Sequence, residues 1–315
     1  MGLGHLVRSR ALAEMLAEDF TCYFACRPGG EVLLTGAEEI RGVKVLDVVP
    51  KNETAVLTKW ANQLGAVTDT IIVLDGYHFD TDYQNDLLSA GFRVVCIDDI
   101  HAYPFTAHAV INHASSARLS DYELADYTKS YFGLAYTLLR RPFREAAKSS
   151  CLRNDVSDVF VCLGGADPQN LTLHAVERCL AQPELSAHVV LGLAHPNRRS
   201  LEELKKKYPE RVRLYQNLPA REMATTMGKC GLGITSPSGV ALEFLSTGGH
   251  LFLLPYVDNQ TEFYQDCLQK KLALAIDEFP FGRTDQELLR SLFDGRQQER
   301  YVKIFSDLSV PENEC

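Results

Sequence analysis

The sequence predicts an α/β protein built as two doubly wound domains, each a parallel sheet with helices on both faces, the two facing a cleft. Three observations predict it. Short apolar runs alternate with helical patterns along most of the 315 residues. Many of those runs are continuously apolar, as suits strands buried on both faces. The rhythm breaks around 140–155, where Arg140-Arg141-Pro142-Phe143 leads into a polar stretch. That break separates an N-terminal domain, 1–145, from a C-terminal domain, 155–315. With 46% hydrophobic residues the chain has material for two cores of ordinary size.

The first half opens on Gly2-Leu3-Gly4-His5. The apolar spacing Val7, Ala11, Leu12, Met15, Leu16 then predicts an amphipathic helix. Strands are expected at 21–25, 43–48, 70–74, 93–97 and 109–112, with a helix over 83–90. In the second half they are expected at 159–163, 188–191, 212–215, 232–235, 251–254 and 272–276. Helical patterns at 170–180, 200–207 and 240–246 lie between them. A glycine loop that opens a helix normally follows a buried strand, and none precedes Gly2. The first sheet is therefore expected to lack a central strand and to expose edges and apolar surface.

The net charge of −9 is spread without basic stripes, which argues against nucleic acid as a partner. No apolar run approaches the ~20 residues of a membrane span. Residues 1–20 carry Glu14, Glu18 and Asp19, so they do not read as a signal peptide. The 9 cysteines lack zinc spacing and read as reduced thiols of a cytoplasmic protein. His101, His108, His113, His174, His188, His195 and His250 share no partner motif and read as structural or solvent-exposed. No cofactor and no metal are expected.

The residues that carry chemistry sit at strand ends. Gly2 and Gly4 permit close approach of a ligand. The helix start aims N–H groups at anions, and a neutral His5 there can take a proton from water near pH 7. Arg8 follows on the same helix. Asp75-Gly76-Tyr77 ends a strand: Tyr77 can donate to a sugar or phosphate, or Asp75 can cap the next helix. Asp98 and Asp99 end another, and turn capping or interdomain hydrogen bonding fits them better than a metal.

The second half repeats the strand–glycine–helix turn at Gly164-Gly165-Ala166-Asp167, where Asp167 or Asn170 can cap the helix. Ser236-Pro237-Ser238-Gly239 makes a third junction suited to phosphate. Glu243, one turn into its helix, can accept from ribose hydroxyls. Asn259 and Gln260 each donate and accept, which suits a sugar, while Asp258 can cap a helix. A hydride-transfer reading lacks the dinucleotide glycine spacing and its acidic partner.

In order along the chain stand Gly-Leu-Gly-His-Leu-Val-Arg at 2–8, Asp-Gly-Tyr at 75–77, Ile-Asp-Asp at 97–99 and Val-Ile-Asn at 110–112. Gly-Leu-Ala-Tyr-Thr-Leu-Leu-Arg follows at 133–140, then Leu-Gly-Gly-Ala-Asp-Pro-Gln-Asn-Leu-Thr at 163–172 and Asp-Asn-Gln at 258–260. This series resembles the UDP-2,4-diacetamido-2,4,6-trideoxy-β-L-altropyranose hydrolase family of pseudaminic acid biosynthesis; the spore coat polysaccharide biosynthesis proteins look similar.

The resemblance implies a GT-B-like fold of two Rossmann-like domains. It implies metal-free hydrolysis of a UDP-sugar at the anomeric carbon, releasing UDP and free sugar. It implies that His5 is the catalytic histidine, that Tyr77 lies near the sugar, that Asn259 binds substrate and that 236–243 holds UDP. Gly2, Gly4, Arg8 and Asp75 would complete the sugar side. Gly164, Gly165, Asp167, Asn170 and Gln260 are further substrate-binding candidates, beside Ser236, Ser238, Gly239 and Glu243 of the UDP segment. The sequence departs from the family at Ser236-Pro237-Ser238-Gly239, where an Ala-Gly-Gly-Ser-Thr-like loop is usual. It departs again at Thr247-Gly248-Gly249-His250, where Gly-x-Pro is usual. The partner implied is the UDP-sugar itself, and the oligomeric state is not written in the sequence. A GT-B glycosyltransferase and a non-catalytic nucleotide-sugar binding protein are the competing readings.

Overall fold

A computed structural model describes residues 3–26, 28, 40–46, 52–149, 156–164, 167, 169–192, 195–196, 198–279, 299 and 303–307. The chain divides into two compact units, Met1–Leu138 and Leu139–Cys315. The division falls just N-terminal of the break in rhythm at 140–155.

The first unit runs α1 (Leu3–Leu16), β1 (Cys22–Cys26), β2 (Ile40–Val45), α2 (Glu53–Leu64), β3 (Ile71–Asp75), α3 (Thr81–Ser89), β4 (Arg93–Ile97), β5 (Ala109–Asn112) and β6 (Lys129–Phe132). Strands β3 to β6 form a 4-stranded parallel sheet in sequence order, while β1 and β2 pair parallel in a sheet of their own. Leu57 and Ala61 of α2 pack with Leu74, Leu87, Val94, Phe105 and Val110, and Leu46 beyond β2 joins the same core. Among the described residues β1 pairs only with β2 and β3 only with β4. Tyr23, Val43, Val45, Ile71 and Val73 on these strands are exposed.

Helix α1 differs from its expectation. Its inward residues are Arg8, Ala11, Leu12 and Met15, packed toward Ile97 and Leu138. The helical spacing holds, but one member of the stripe is a buried arginine, so the apolar face is interrupted by charge.

The second unit runs α4 (Arg141–Ser149), β7 (Asp158–Cys162), α5 (Leu171–Leu180), β8 (Ser186–Leu191), α6 (Arg198–Lys207) and β9 (Val212–Gln216). It continues through α7 (Ala220–Met227), β10 (Leu232–Thr235), α8 (Gly239–Ser246), β11 (His250–Leu253), α9 (Thr261–Gln269) and β12 (Leu274–Ala275). Its 6-stranded sheet has the order β12-β11-β10-β7-β8-β9, all parallel. The winding direction therefore reverses between β7 and β10, and doubly wound sheets bind ligands at the carboxyl ends of the strands beside such a reversal.

Residues 141–149, placed in the polar break, form a helix. Pro142 fits its first turn, where the missing N–H is harmless. Phe143 and Ala147 are buried, and the helix packs on α7 and α8. Helix α8 lies close on the sheet. A Cβ added at Gly233 would sit 2.6 Å from the Phe244 ring, and one at Gly249 2.5 Å from it. Among the described residues no helix is long and apolar enough to cross a membrane.

Candidate functional site

In the first unit the polar strand ends converge on Asp75, the last residue of β3. His5 Nδ1 lies 2.7 Å from Asp75 Oδ1, with the His5 side chain 11% exposed. Arg8 Nε donates to both Asp75 oxygens at 3.0 Å, and its Nη2 donates to Oδ1 at 2.6 Å. Arg8 Nη1 donates to Asp99 Oδ2 at 2.7 Å. Ser9 Oγ donates to Asp75 Oδ2 at 2.8 Å. Burial alone would raise the Asp75 carboxyl, but the hydrogen bonds from His5 and Arg8 and the Arg8 charge hold it below the usual carboxylate range.

His5 Nδ1 also lies 3.0 Å from Arg8 Nη2, which can only donate, but its shorter contact is to the Asp75 carboxylate, which can only accept, and that contact favours the tautomer with the proton on Nδ1. That leaves Nε2 with a lone pair, the tautomer of a general base. Tyr77 meets the His5 ring edge-on at 4.8 Å and is 45% exposed.

Asp75 does not cap the following helix; Asp80 does, accepting from Tyr83 N at 3.0 Å. The β3 carboxylate is thereby left to the α1 side chains. Arg8, placed with substrate by its motif, is 8% exposed and committed to two carboxylates. Asp98 accepts from the Ile100 and His101 N–H groups, as a turn-capping acid does. Gly4 is in the first turn of α1 with open space beside it, while Gly2 lies outside the described residues. His113, set aside as structural, accepts from Leu138 N–H. Burial and the nearby Arg8 charge push it down to about 4, against the pull of Asp99 and Asp75.

In the second unit the expected residues gather at the ends of β7, β10 and β11, which are neighbours in the sheet. Gly164 follows β7 with φ +93°, and a Cβ there would meet the Tyr256 hydroxyl at 3.3 Å. Asp167 is buried and accepts from Leu171 and Thr172 N–H, both at 2.8 Å, so it is the acid that caps α5. Burial would raise its carboxyl, but these bonds and that of the Thr172 side chain hold it low. His195 Nε2 lies 3.3 Å from it, both side chains buried.

Asn170 makes no cap bond. Its Oδ1 is buried without a partner among the described residues. Ser236 and Ser238 hydroxyls are 3.1 Å apart. Ser238 occupies the N-cap of α8 without bonding its N–H groups, and space beside Gly239 is open. Gln260 accepts from Tyr256 N–H at 3.0 Å, which fixes the turn after β11. Asn259 lies in that turn with its side chain outside the described residues, as Gly165 is.

Glu243 is buried and paired with Arg140. Arg140 Nε donates to Oε1 at 2.7 Å and Nη2 to Oε2 at 2.9 Å. Sequence reasoning missed this partner and the Tyr256 contact; it weighed Asp99 only for turn capping or interdomain hydrogen bonding and set His195 aside as structural or solvent-exposed. Arg140 stands at the end of the motif 133–140, but nothing local links it to a residue 103 positions away. Among the described residues no group of three His, Cys, Asp or Glu side chains is placed to hold a metal ion.

No protein-family model matches the chain. An uncharacterised protein of Methanocaldococcus jannaschii is 25% identical over 283 residues, 86% of this chain and 56% of that protein. The chain thus spans a little over half the length of that relative. The UDP-2,4-diacetamido-2,4,6-trideoxy-β-L-altropyranose hydrolase of Campylobacter jejuni is 24% identical over 267 residues, 82% of this chain and 89% of that protein. The spore coat polysaccharide biosynthesis protein SpsG of Bacillus subtilis is 24% identical over 270 residues, 82% of this chain and 75% of that protein. The chain is related to the family its motif series resembles.

Among solved structures, MurG of Acinetobacter baumannii superposes with TM-score 0.60 at 13% identity, covering 98% of this chain and 92% of that one. A UDP-glucose:anthocyanidin 3-O-glucosyltransferase in complex with UDP does so with TM-score 0.60 at 12% identity, covering 97% and 91%. The likeness establishes the GT-B-like fold.

Proposed function

We propose, from the kinship of this chain to the UDP-diacetamido-trideoxy-altropyranose hydrolases, that it is a cytoplasmic UDP-sugar hydrolase of nonulosonic (pseudaminic) acid biosynthesis. The observation that carries the reading is the His5–Asp75 contact of 2.7 Å within a buried charge network. A histidine anchored through Nδ1 to a carboxylate with a depressed pKa presents a basic Nε2.

His5 Nε2 takes a proton from water as the water oxygen bonds to the anomeric carbon. The bond from that carbon to the diphosphate oxygen breaks, and its electron pair leaves with UDP. Tyr77, exposed beside the His5 ring, donates to the sugar. The second unit holds UDP at its strand reversal. The uncapped start of α8 and the Ser236 and Ser238 hydroxyls face the diphosphate, and Glu243 takes the ribose. The unpartnered Asn170 acceptor beside the same reversal supports a ligand there. Arg8 and Asp75 orient His5 rather than bind substrate.

The experiment is incubation with the UDP-linked diacetamido sugar in ¹⁸O-water. The expected result is UDP without label and free sugar carrying it. Label in the phosphate would move the cleavage to phosphorus. Turnover only with a sugar or lipid acceptor would make the chain a glycosyltransferase, with the same base acting on an acceptor hydroxyl. Tight UDP binding without turnover would leave a binding protein.

A further inference from the structure

One polar arrangement of the first unit has no part in the chemistry proposed above. Strand pairing sets Asp75, Ile97 and Ile111 in one row across β3, β4 and β5. Two residues further along each strand's path stand Tyr77, Asp99 and His113. His113 therefore leaves the sheet beside the strand ends that carry the His5–Arg8–Asp75 network. Its turn is held by side chains. Asn112 Oδ1 accepts from Ala114 N–H at 2.9 Å, and Asn112 Nδ2 donates to the Tyr122 hydroxyl at 2.9 Å. That hydroxyl donates to Asp98 Oδ2 at 2.9 Å. The ring is fixed by its own bond: His113 Nδ1 accepts from Leu138 N–H at 3.3 Å, and Leu138 packs with Ala11 of α1 and Ile97 of β4. A backbone N–H only donates, so the Nδ1 of His113 bears no proton and Nε2 bears one. Burial and the Arg8 charge keep the ring neutral, pushing it down to about 4. Among the described residues Nε2 meets no hydrogen-bond partner, and the residue is only partly buried.

We propose that His113 is a substrate-binding residue of the sugar side: its Nε2–H, held in place through Nδ1, donates to the carbonyl of an acetamido group. The inference rests on the reading of the first unit as the side that takes the sugar. An imidazole N–H can only donate and an amide carbonyl can only accept, so the two are matched in kind. A site built on such a donor rejects a sugar that lacks the acceptor, because the N–H is then left unmet. His5 and His113 divide the two roles of an imidazole. The first, anchored to a carboxylate, takes a proton; the second, anchored to an N–H, gives a hydrogen bond.

The experiment is steady-state hydrolysis of the UDP-linked diacetamido sugar by the full chain, unaltered and as His113→Asn and His113→Gln, with UDP affinity read by calorimetry. Asparagine puts an acceptor oxygen where Nδ1 stands and keeps the Leu138 bond, but nothing of it reaches the Nε2 position. Glutamine puts an amide N–H at the Nε2 position and gives up the Leu138 bond. His113→Asn is expected to lower kcat/KM about tenfold, mostly through KM, with UDP affinity within a few-fold of the unaltered chain. His113→Gln is expected to recover most of that loss. A folded His113→Asn with unchanged kcat/KM, or one that outperforms His113→Gln, overturns the inference and leaves the hydrolase reading standing; the second ranking makes the Leu138 bond, not the donor, the purpose of His113. No turnover by the unaltered chain overturns the hydrolase reading and the inference together. Should either variant fail to fold, two analogues keep the test, each with a hydroxyl in place of one acetamido group. At least one is expected to be turned over about tenfold less well than the parent by the unaltered chain. Equal turnover of both overturns the inference.

Discussion

The two units set polar residues at the carboxyl ends of parallel strands and equip them differently. In the first unit charge is concentrated. His5, Arg8, Asp75 and Asp99 form one connected network, and only its ring nitrogen is suited to exchange a proton. In the second unit charge is paired off or used as a cap: Arg140 holds Glu243, and Asp167 holds the start of α5. What the proposed nucleotide side then offers a ligand is short hydroxyls, open glycine backbone, uncapped N–H groups and the Glu243 acceptor capacity that Arg140 does not take. The supporting sheets differ in the same sense. Strands β10 and β11 are buried at every residue, while β1 and β3 are half bare. A rigid sheet under backbone donors suits gripping an anion; a network anchored by side chains suits tuning one base.

The largest expected effect tests the first half of that contrast. His5→Asn should lower turnover ~10²–10⁴-fold, the usual worth of a general base, while UDP affinity stays within a few-fold. Steady-state rates and calorimetry separate the two, and an unaltered rate would remove His5 from the chemistry. Next comes Asp75→Asn. Taking one partner from a buried ion pair typically costs about 3–5 kcal/mol, so the melting temperature should fall by many degrees, and Arg8→Gln should cost a comparable amount. A change within error in both would make the network ornamental.

Glu243→Gln tests the second half. Losing a charged hydrogen bond of about 1.5–3 kcal/mol should weaken UDP roughly ten- to a hundredfold without altering the protonation step. Equal losses in affinity and in turnover at saturating substrate would blur the division of labour.

A smaller effect is expected with pH. His113 is pushed down to about 4 in the folded chain, against an ordinary value of about 6.5 once unfolded. The unfolded chain therefore takes up its proton first. The His113 contribution to stability is complete above about pH 6.5 and drains away as the pH falls toward about 4. Asp75 and Asp167, both held low, contribute above the ordinary carboxylate value and lose their contribution at more acidic pH still. Melting temperatures from pH 7.5 to 4.5 should fall less steeply for His113→Asn than for the unaltered chain. The smallest effect is none: EDTA should leave the rate unchanged, and loss of activity restored by Mg²⁺ would put a cation beside the diphosphate.

Much of the framework was legible because buried parallel strands are spelled as unbroken apolar runs, as in Val159–Leu163 or Leu251–Leu254. Strand β6 was not, since Lys129-Ser130-Tyr131-Phe132 is an edge strand with exposed residues and no such run. Helix α4 hid behind its charges, although a proline in the first turn was there to mark it. At the site, His5, Asp75, Tyr77 and the 236–243 loop were legible as polar residues directly after strands or at helix starts. Their partners were not. Arg8 reads as a substrate-binding cation until β3 is laid beside it, and Arg140 is joined to Glu243 only by the fold. Ion pairs between distant positions leave no periodicity to find.

The seat of Phe244 on two bare glycines works as a shim. Ordinary contacts to a Cβ begin near 3.4 Å, and a methyl at 233 would stand 2.6 Å from the ring. The shortfall is about 0.8 Å, the thickness by which α8 would have to lift or the ring to turn aside. Glu243 is the residue before the ring, so lifting the helix moves the carboxylate away from the strand ends by a similar step. Gly233→Ala should thus detune nucleotide affinity from a place no ligand touches, and Phe244→Leu in the same chain should give back the lost clearance. In the proposed nucleotide site reach would be set by wall thickness, with Gly233, Gly249 and Phe244 holding the dimension between them.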